Sequence, residues 1–220
     1  MWRDIFRLLS KDNLQKQALE ECHEMLDICN QMVSASVESL RQRDDDSVDI
    51  PIYAMDKKLN AFERDVRRKV MTHLSLGHTE DISSGLVLVS VVIDLERIGD
   101  YSKNIYDLAR RHPTRLHGGD VEEQLAAIEA EVLKHFEGTV ETFKSGDVDE
   151  ARRLMKAYKR DISHEVSEFE KAIVSAKVEL PSAAAAACVL YARFLKRISA
   201  HSRNLVSSLV NPFDRIGYIE

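Results

Sequence analysis

A chain of 220 residues has room for one large domain or two small ones, and 44% hydrophobic with 31% charged residues is an ordinary soluble mixture. The formal net charge of −6 leaves no basic footprint, which argues against nucleic-acid binding as the main task, and no stretch approaches the ~20 apolar residues of a membrane span. Only 8 glycines and 4 prolines interrupt a sequence rich in Glu, Lys, Arg, Leu and Ala, so the composition predicts an all-α protein.

In chain order, the opening MWRDIFRLLSKDN is too short and too charged to read as a signal peptide. Helical periodicity then runs over 12–42, 51–75, 81–111, 119–144, 148–178 and 182–210. The breaks between these segments have a local chemistry. An acidic polar run, 41–51, ends at Pro51; Gly77 stops the second segment, with Thr79 or Asp81 as candidate N-caps of the third. Pro113 and Gly118-Gly119 follow the third, a Gly turn with an Asp cap separates the fourth and fifth, and Pro181 stands where the sixth begins. The third segment is valine-rich from Leu86 to Ile93 and has the propensity of a buried strand. Its apolar pattern continues through Ile98, Ile105 and Leu108, which is helical spacing and too long for a strand. Being apolar nearly all round, it is expected at the centre of the fold.

Cys22 and Cys29 are seven residues apart, ~10 Å along a helix axis and too far for a disulfide within one helix. With Cys188 they read as core thiols of a reducing, cytoplasmic compartment.

The sequence also repeats. Leu95, Arg97, Ile98, Ser102 and Asn104 recur 100 residues later as Leu195, Arg197, Ile198, Ser202 and Asn204, with Lys103/Arg203 and Ile105/Leu205 conservative between them. The six helices therefore fall into two three-helix bundles, 12–112 and 119–210, joined end to end or side by side.

DLERIGD, 94–100, places carboxylates directly after the most apolar run of the chain. On a helix Glu96, Asp100 and Asn104 form one stripe, with Asp107 near its end, while Asp94 points to another side. Asp56, Asn60 and Glu63 make a matching stripe on the second helix. If the two helices pack antiparallel, the stripes meet. Either a metal ion compensates these carboxylates, or they form a solvated face balanced by Lys57, Lys58, Arg64 and Arg67; Arg97 is adjacent but faces elsewhere. A different constellation pairs Glu20-x-x-His23 with Asp161-x-x-His164, the spacing of a di-metal carboxylate bundle. No phosphate loop, G-x-S-x-G or His-Glu-x-x-His is present. The tail leaves the last helix at Pro212 and offers Phe213, Ile216, Tyr218 and Ile219 for docking on the protein or on a partner.

Asp94 to Asp100, followed by Asn104-Ile105, closely resembles the signature of the PhoU family of phosphate-transport regulators. Asp56-Lys-Lys-Leu-Asn60 is similar to that family's second-helix pattern, and 143–153 to the start of its fifth helix. The resemblance covers about 12–210 and implies two tandem three-helix repeats, each with an E/D-x-x-x-D metal motif on its third helix. It implies Glu96 and Asp100 as ligands, with Asp56 from the second helix and Asn60 and Asp94 beside them, for iron or zinc, with manganese as a further candidate. It also implies a non-enzymatic cytoplasmic protein that restrains a phosphate transporter or its sensor kinase, reaches the membrane only through such partners and can form a homodimer. The second repeat departs from the pattern: Lys196, Ala200 and Tyr158 stand where Glu, Asp and the counterpart of Asp56 belong, so only one metal motif is expected. Ser83-Ser84-Gly85 replaces the family's Asp-Leu-Arg stretch, which implies a divergent member serving another phosphate transporter, such as a sodium-coupled one. The other two readings are a di-metal enzyme or storage bundle using His23 and His164, and a metal-free helical scaffold.

Overall fold

The computed structural model describes residues 13–45, 47–112 and 114–218. Most of the charged opening stretch and Ile219 lie outside these residues. The described residues form helices and turns without a strand: α1 Leu14–Arg41, α2 Ile52–Ser75, α3 Ile82–Arg111, α4 Glu122–Ser145, α5 and α6 Ser182–Val210. Helix α5 consists of Val148–Ala157, a π-helical turn Tyr158–Ile162 and Ser163–Val174. The predicted boundaries hold to within a few residues except at the end of α5, and the π turn had no counterpart in the sequence reading.

Local chemistry accounts for the helix ends. Asn13 caps α1 by accepting from Lys16 N at 2.9 Å, and Asp147 caps α5 by accepting from the backbone N–H of Asp149 and Glu150, each at 3.0 Å. Gly146 closes α4 at φ 71°, a left-handed conformation for which glycine has no steric penalty. Asp81 precedes α3 as expected, but its carboxylate makes no cap and is used elsewhere.

Helices α1, α2 and α3 form one antiparallel bundle, and α4, α5 and α6 another; α3 and α6 pack on each other, so the bundles lie side by side. One continuous core runs through both, including Val87, Leu88, Val91, Val92, Leu95 and Ile98 of α3. Cys22, Cys29 and Cys188 are buried free thiols within it. Burial pushes all three up from the usual thiol range, which keeps them protonated and unreactive.

The repeat is visible in hydrogen bonds: Ser102 Oγ donates to Ile98 O and Ser202 Oγ to Ile198 O, both at 2.8 Å. It is visible again where α3 meets α6. Asp94 Oδ1 accepts from His201 Nδ1 at 2.7 Å and from Asn204 Nδ2 at 2.9 Å. The positions 100 residues away, Phe194 and Tyr101, also meet, with ring centroids 6.2 Å apart. Tyr101 and His201 stack between these pairs at 5.8 Å. Contacts of i with j′ and j with i′ are the mark of a two-fold arrangement, here within one chain. The Arg197 guanidinium donates to His201 Nε2 at 3.1 Å, so the ring proton of the neutral imidazole sits on Nδ1 and points at Asp94.

A second tie runs through Arg41 at the end of α1. Its side chain, 7% exposed, pairs with Glu122 and with Glu129 at 2.8 Å and also donates to the Leu116 carbonyl. Tyr191 of α6 donates to the same Glu129 at 2.8 Å. Truncating Asp94 to Ala removes the acceptor of two buried donors and is expected to destabilise the protein by about 3 kcal/mol, read from urea unfolding.

Candidate functional site

Helix α2 lies along α3 with Leu59 buried against Gly99. A Cβ built on Gly99 would come within 2.2 Å of Leu59 Cδ1, so a larger residue here would force the buried Leu59 side chain to shift. The close contact brings the two acidic stripes together on the outer side of the pair. Asp56 and Asp100 are bridged by the Lys103 ammonium, 2.9 Å from a carboxylate oxygen of each. Glu63 pairs with Arg67 at 2.7 Å, and Arg97 reaches back to Asp100 at 3.1 Å. Arg97 therefore does serve the stripe, although its side chain is half exposed.

Glu96 is different. Its side chain is 12% exposed and its nearest cation atom, Arg97 Nε, is 3.6 Å away. Burial is the main cause that pushes its carboxyl above the usual carboxylate range, with the negative charges of Asp100, Glu63 and Asp56 adding to it against Arg97. The cluster thus has four carboxylates against three cations, and the unmatched charge falls on Glu96. The Lys103 ammonium is held in its charged form by Asp56 and Asp100, which outweigh its partial burial.

The structure sorts the expected ligands into two groups. It lays Glu96, Asp100 and Asp56 on one face, with Glu63 beside them, but among the described residues no three of these carboxylates have ligand atoms within 4.8 Å of one another. Asn60 lies along the same face, where its Nδ2 donates to the Asp56 backbone carbonyl at 3.0 Å. Asp94 is elsewhere: it is buried at the α3–α6 contact and both its partners come from the second bundle, so it is no part of the stripe. The residue missed in the sequence is Lys103. It lies three positions after Asp100, the spacing at which helix side chains meet, although in the sequence it stands out only as a member of the repeat.

The second bundle has no equivalent stripe. Lys196 Nζ donates to Ser167 Oγ at 2.7 Å. Arg203, the counterpart of Lys103, lies over the ring of Tyr158, the counterpart of Asp56, with its guanidinium carbon 4.8 Å from the centroid. A cation–carboxylate pair in one repeat is thus a cation–π pair in the other.

The di-metal alternative is not supported by the placement of its histidines. His23 sits edge-on to Phe143 at 5.9 Å, and burial lowers its affinity for a proton. His164 is exposed on α5 in a surface recess shared with Lys156, Lys159 and Arg160. Neither belongs to a group of metal-compatible side chains among the described residues.

Residues 22–109 match the PhoU domain. The first repeat is a PhoU domain. The matched span is the first repeat from within α1 to the end of α3, including the whole DLERIGD stretch. The crystal structure of PhoU from Pseudomonas aeruginosa is similar with a TM-score of 0.79 at 20% identity, over 90% of this chain and 95% of that one. That of the phosphate transport system regulatory protein PhoU from Streptococcus pneumoniae gives 0.70 at 18% identity, over 90% and 91%. At these identities the structural likeness is one of fold, and it extends across both repeats. No curated protein gives a significant match.

Two outcomes test this packing and the charge balance on its outer face. Gly99→Ala is expected to destabilise the protein by about 1–3 kcal/mol in chemical denaturation, because the buried Leu59 has little room to yield. Glu96→Gln is expected to stabilise it at neutral pH. The native state holds the Glu96 proton more tightly than the unfolded chain does, so stability falls as pH rises from the ordinary value of 4.5 through the raised one. The gain from Gln should vanish below that window, which unfolding curves at pH 4 and pH 7 compare.

Proposed function

We propose that this chain is a cytoplasmic, non-enzymatic regulator of phosphate uptake that binds a metal ion on the α2–α3 stripe and acts by contacting a phosphate transporter or its sensor kinase. The observation that carries this reading is the excess of carboxylate charge on the outer face of α2 and α3, within the span that matches the PhoU domain. No helix among the described residues is long and apolar enough to cross a membrane, which is consistent with action through a membrane-bound partner.

The donor set fits the group in chemistry, and with Lys103 seated between Asp56 and Asp100 its oxygens have still to converge. Asp56, Glu63, Glu96 and Asp100 offer oxygen ligands, which suit iron, manganese or zinc among the transition ions. Glu96 and Asp100 would hold the ion with Asp56, and Asn60 and Glu63 would flank them. Bound there, a metal would supply fixed positive charge to this face. Lys103 already does so from within the chain, and it is the competitor: the ammonium has to leave Asp56 and Asp100 before an ion can take its place. The face is then regulated by which cation occupies it.

Elemental mass spectrometry on untagged protein, purified without added metal, tests this directly. Wild type is expected to contain near one equivalent or more of iron, zinc or manganese, and Glu96→Ala with Asp100→Ala to contain none. Lys103→Met, which frees two carboxylates, is expected to tighten manganese binding by roughly tenfold, about 1.4 kcal/mol. Metal-free wild type that also fails to bind after reconstitution would leave the stripe a charged surface and the protein a scaffold working through contacts alone. Phosphate uptake measured in the host lacking the chain should rise, and return to its former level with wild type but not with the double variant.

A further inference from the structure

The turn between α2 and α3 gathers a different set of ligating groups. His73 is in the last turn of α2 and 3% exposed, His78 stands exposed just before the short 3-10 turn Thr79–Asp81, and Asp81 ends that turn. One ligand atom from each lies within 4.8 Å of the others, and among the described residues no other trio of His, Cys, Asp or Glu does so. We propose that His73, His78 and Asp81 bind a single zinc-class divalent ion, with its remaining position left to water.

The donor chemistry points to that class. Two imidazoles and one carboxylate are the ligand types and number of an open zinc site, whereas the stripe farther along the same helices is made of oxygens alone. The arrangement is also largely set before any ion arrives. His73 Nε2 lies 2.8 Å from Asp81 Oδ2. The Asp81 carbonyl accepts from Ser84 Oγ at 3.0 Å, and Ser84 Oγ in turn accepts from Gln15 Nε2 of α1 at 2.6 Å. Two ligands are thereby fixed by three helices.

The His73–Asp81 hydrogen bond by itself would suffice to close the turn. It does not explain why a second imidazole is laid over the first, with centroids 4.3 Å apart and planes within 10°. Among the described residues, the His78 side chain otherwise meets Glu80, 3.7 Å away.

Two parallel rings cannot both aim an in-plane lone pair at one ion, so His78 has to turn out of the stack to ligate. Its exposure allows this, and Gly77 beside it, at φ 98°, has open space where a side chain would be. When the ion binds His73 Nε2, the ring proton resides on Nδ1 and Asp81 changes from hydrogen-bond acceptor to ligand. The filled site would clamp the end of α2 to the start of α3.

Zinc titration of the full chain, followed by calorimetry and thermal unfolding, tests the assignment. It is done in the Glu96→Ala, Asp100→Ala background, so that the stripe contributes nothing. One equivalent is expected to bind and to raise the melting temperature. His78→Ala, at an exposed position, should leave the metal-free melting temperature unchanged and weaken zinc binding at least about tenfold. Cobalt added in place of zinc should give a visible absorption band that His78→Ala abolishes. Absence of zinc binding in the stripe-deleted protein, or binding that is unaffected by both His78→Ala and His73→Gln, would overturn the proposal.

Discussion

A carboxylate buried between two apolar helices has to find its partners nearby, and the partners of Asp94 lie in the other half of the molecule. That requirement fixes more than one contact. The two donors, His201 and Asn204, sit one turn apart on α6, so they determine both the register and the rotation of α6 against α3. Arg197 fixes the histidine tautomer that makes the pairing work. With α3 locked in this way against α6, its remaining surface packs on α1 and α2, and the approach at Gly99 turns Glu96 and Asp100 toward Asp56 and Glu63. A single seven-residue segment thus serves the core, the junction of the repeats and the candidate metal face.

The duplication shows how such a segment can be put to different uses. Phe194 replaces Asp94 and Tyr101 stands opposite His201, so the reciprocal half of the junction is aromatic where the first is polar. An apolar pair on one side spares the fold a second buried charge, and a polar pair on the other imposes direction. On the outer faces the same divergence separates Lys103 on Asp56 from Arg203 on Tyr158. The first is an electrostatic balance that an external cation can disturb. The second buries a flat ring beneath a guanidinium and offers a cation nothing.

Much of this was legible in the residues. The helices followed from their periodicity and from Gly77, Asp147 and Pro181 at their ends, because these are local effects that need no tertiary context. That Glu96, Asp100 and Asp56 share one face followed from helical spacing and a short connection. What could not be read was which face each neighbour would occupy. Asp94 was placed with the metal ligands by the likeness of the motif, although its rotation on the helix already set it apart; its true partners are more than 100 residues away. Lys103 carries no signal in the sequence because a lysine in a helix is usually a solvated one, and its two partners come from different helices. His73, His78 and Asp81 share no periodicity at all, since a helix end and a turn lie between them.

The π turn of α5 has a consequence for comparing this chain with any other. An α-helix advances 100° per residue, and one turn closed by an additional residue shifts everything beyond it by about that angle relative to what precedes it. Residues before Tyr158 and after Ile162 therefore belong to two different phases of one helix. An alignment that runs through this helix without a gap will match side chains that point in different directions on one side of the turn. Position-by-position inference across the second repeat is safe only when each half of the helix is registered on its own.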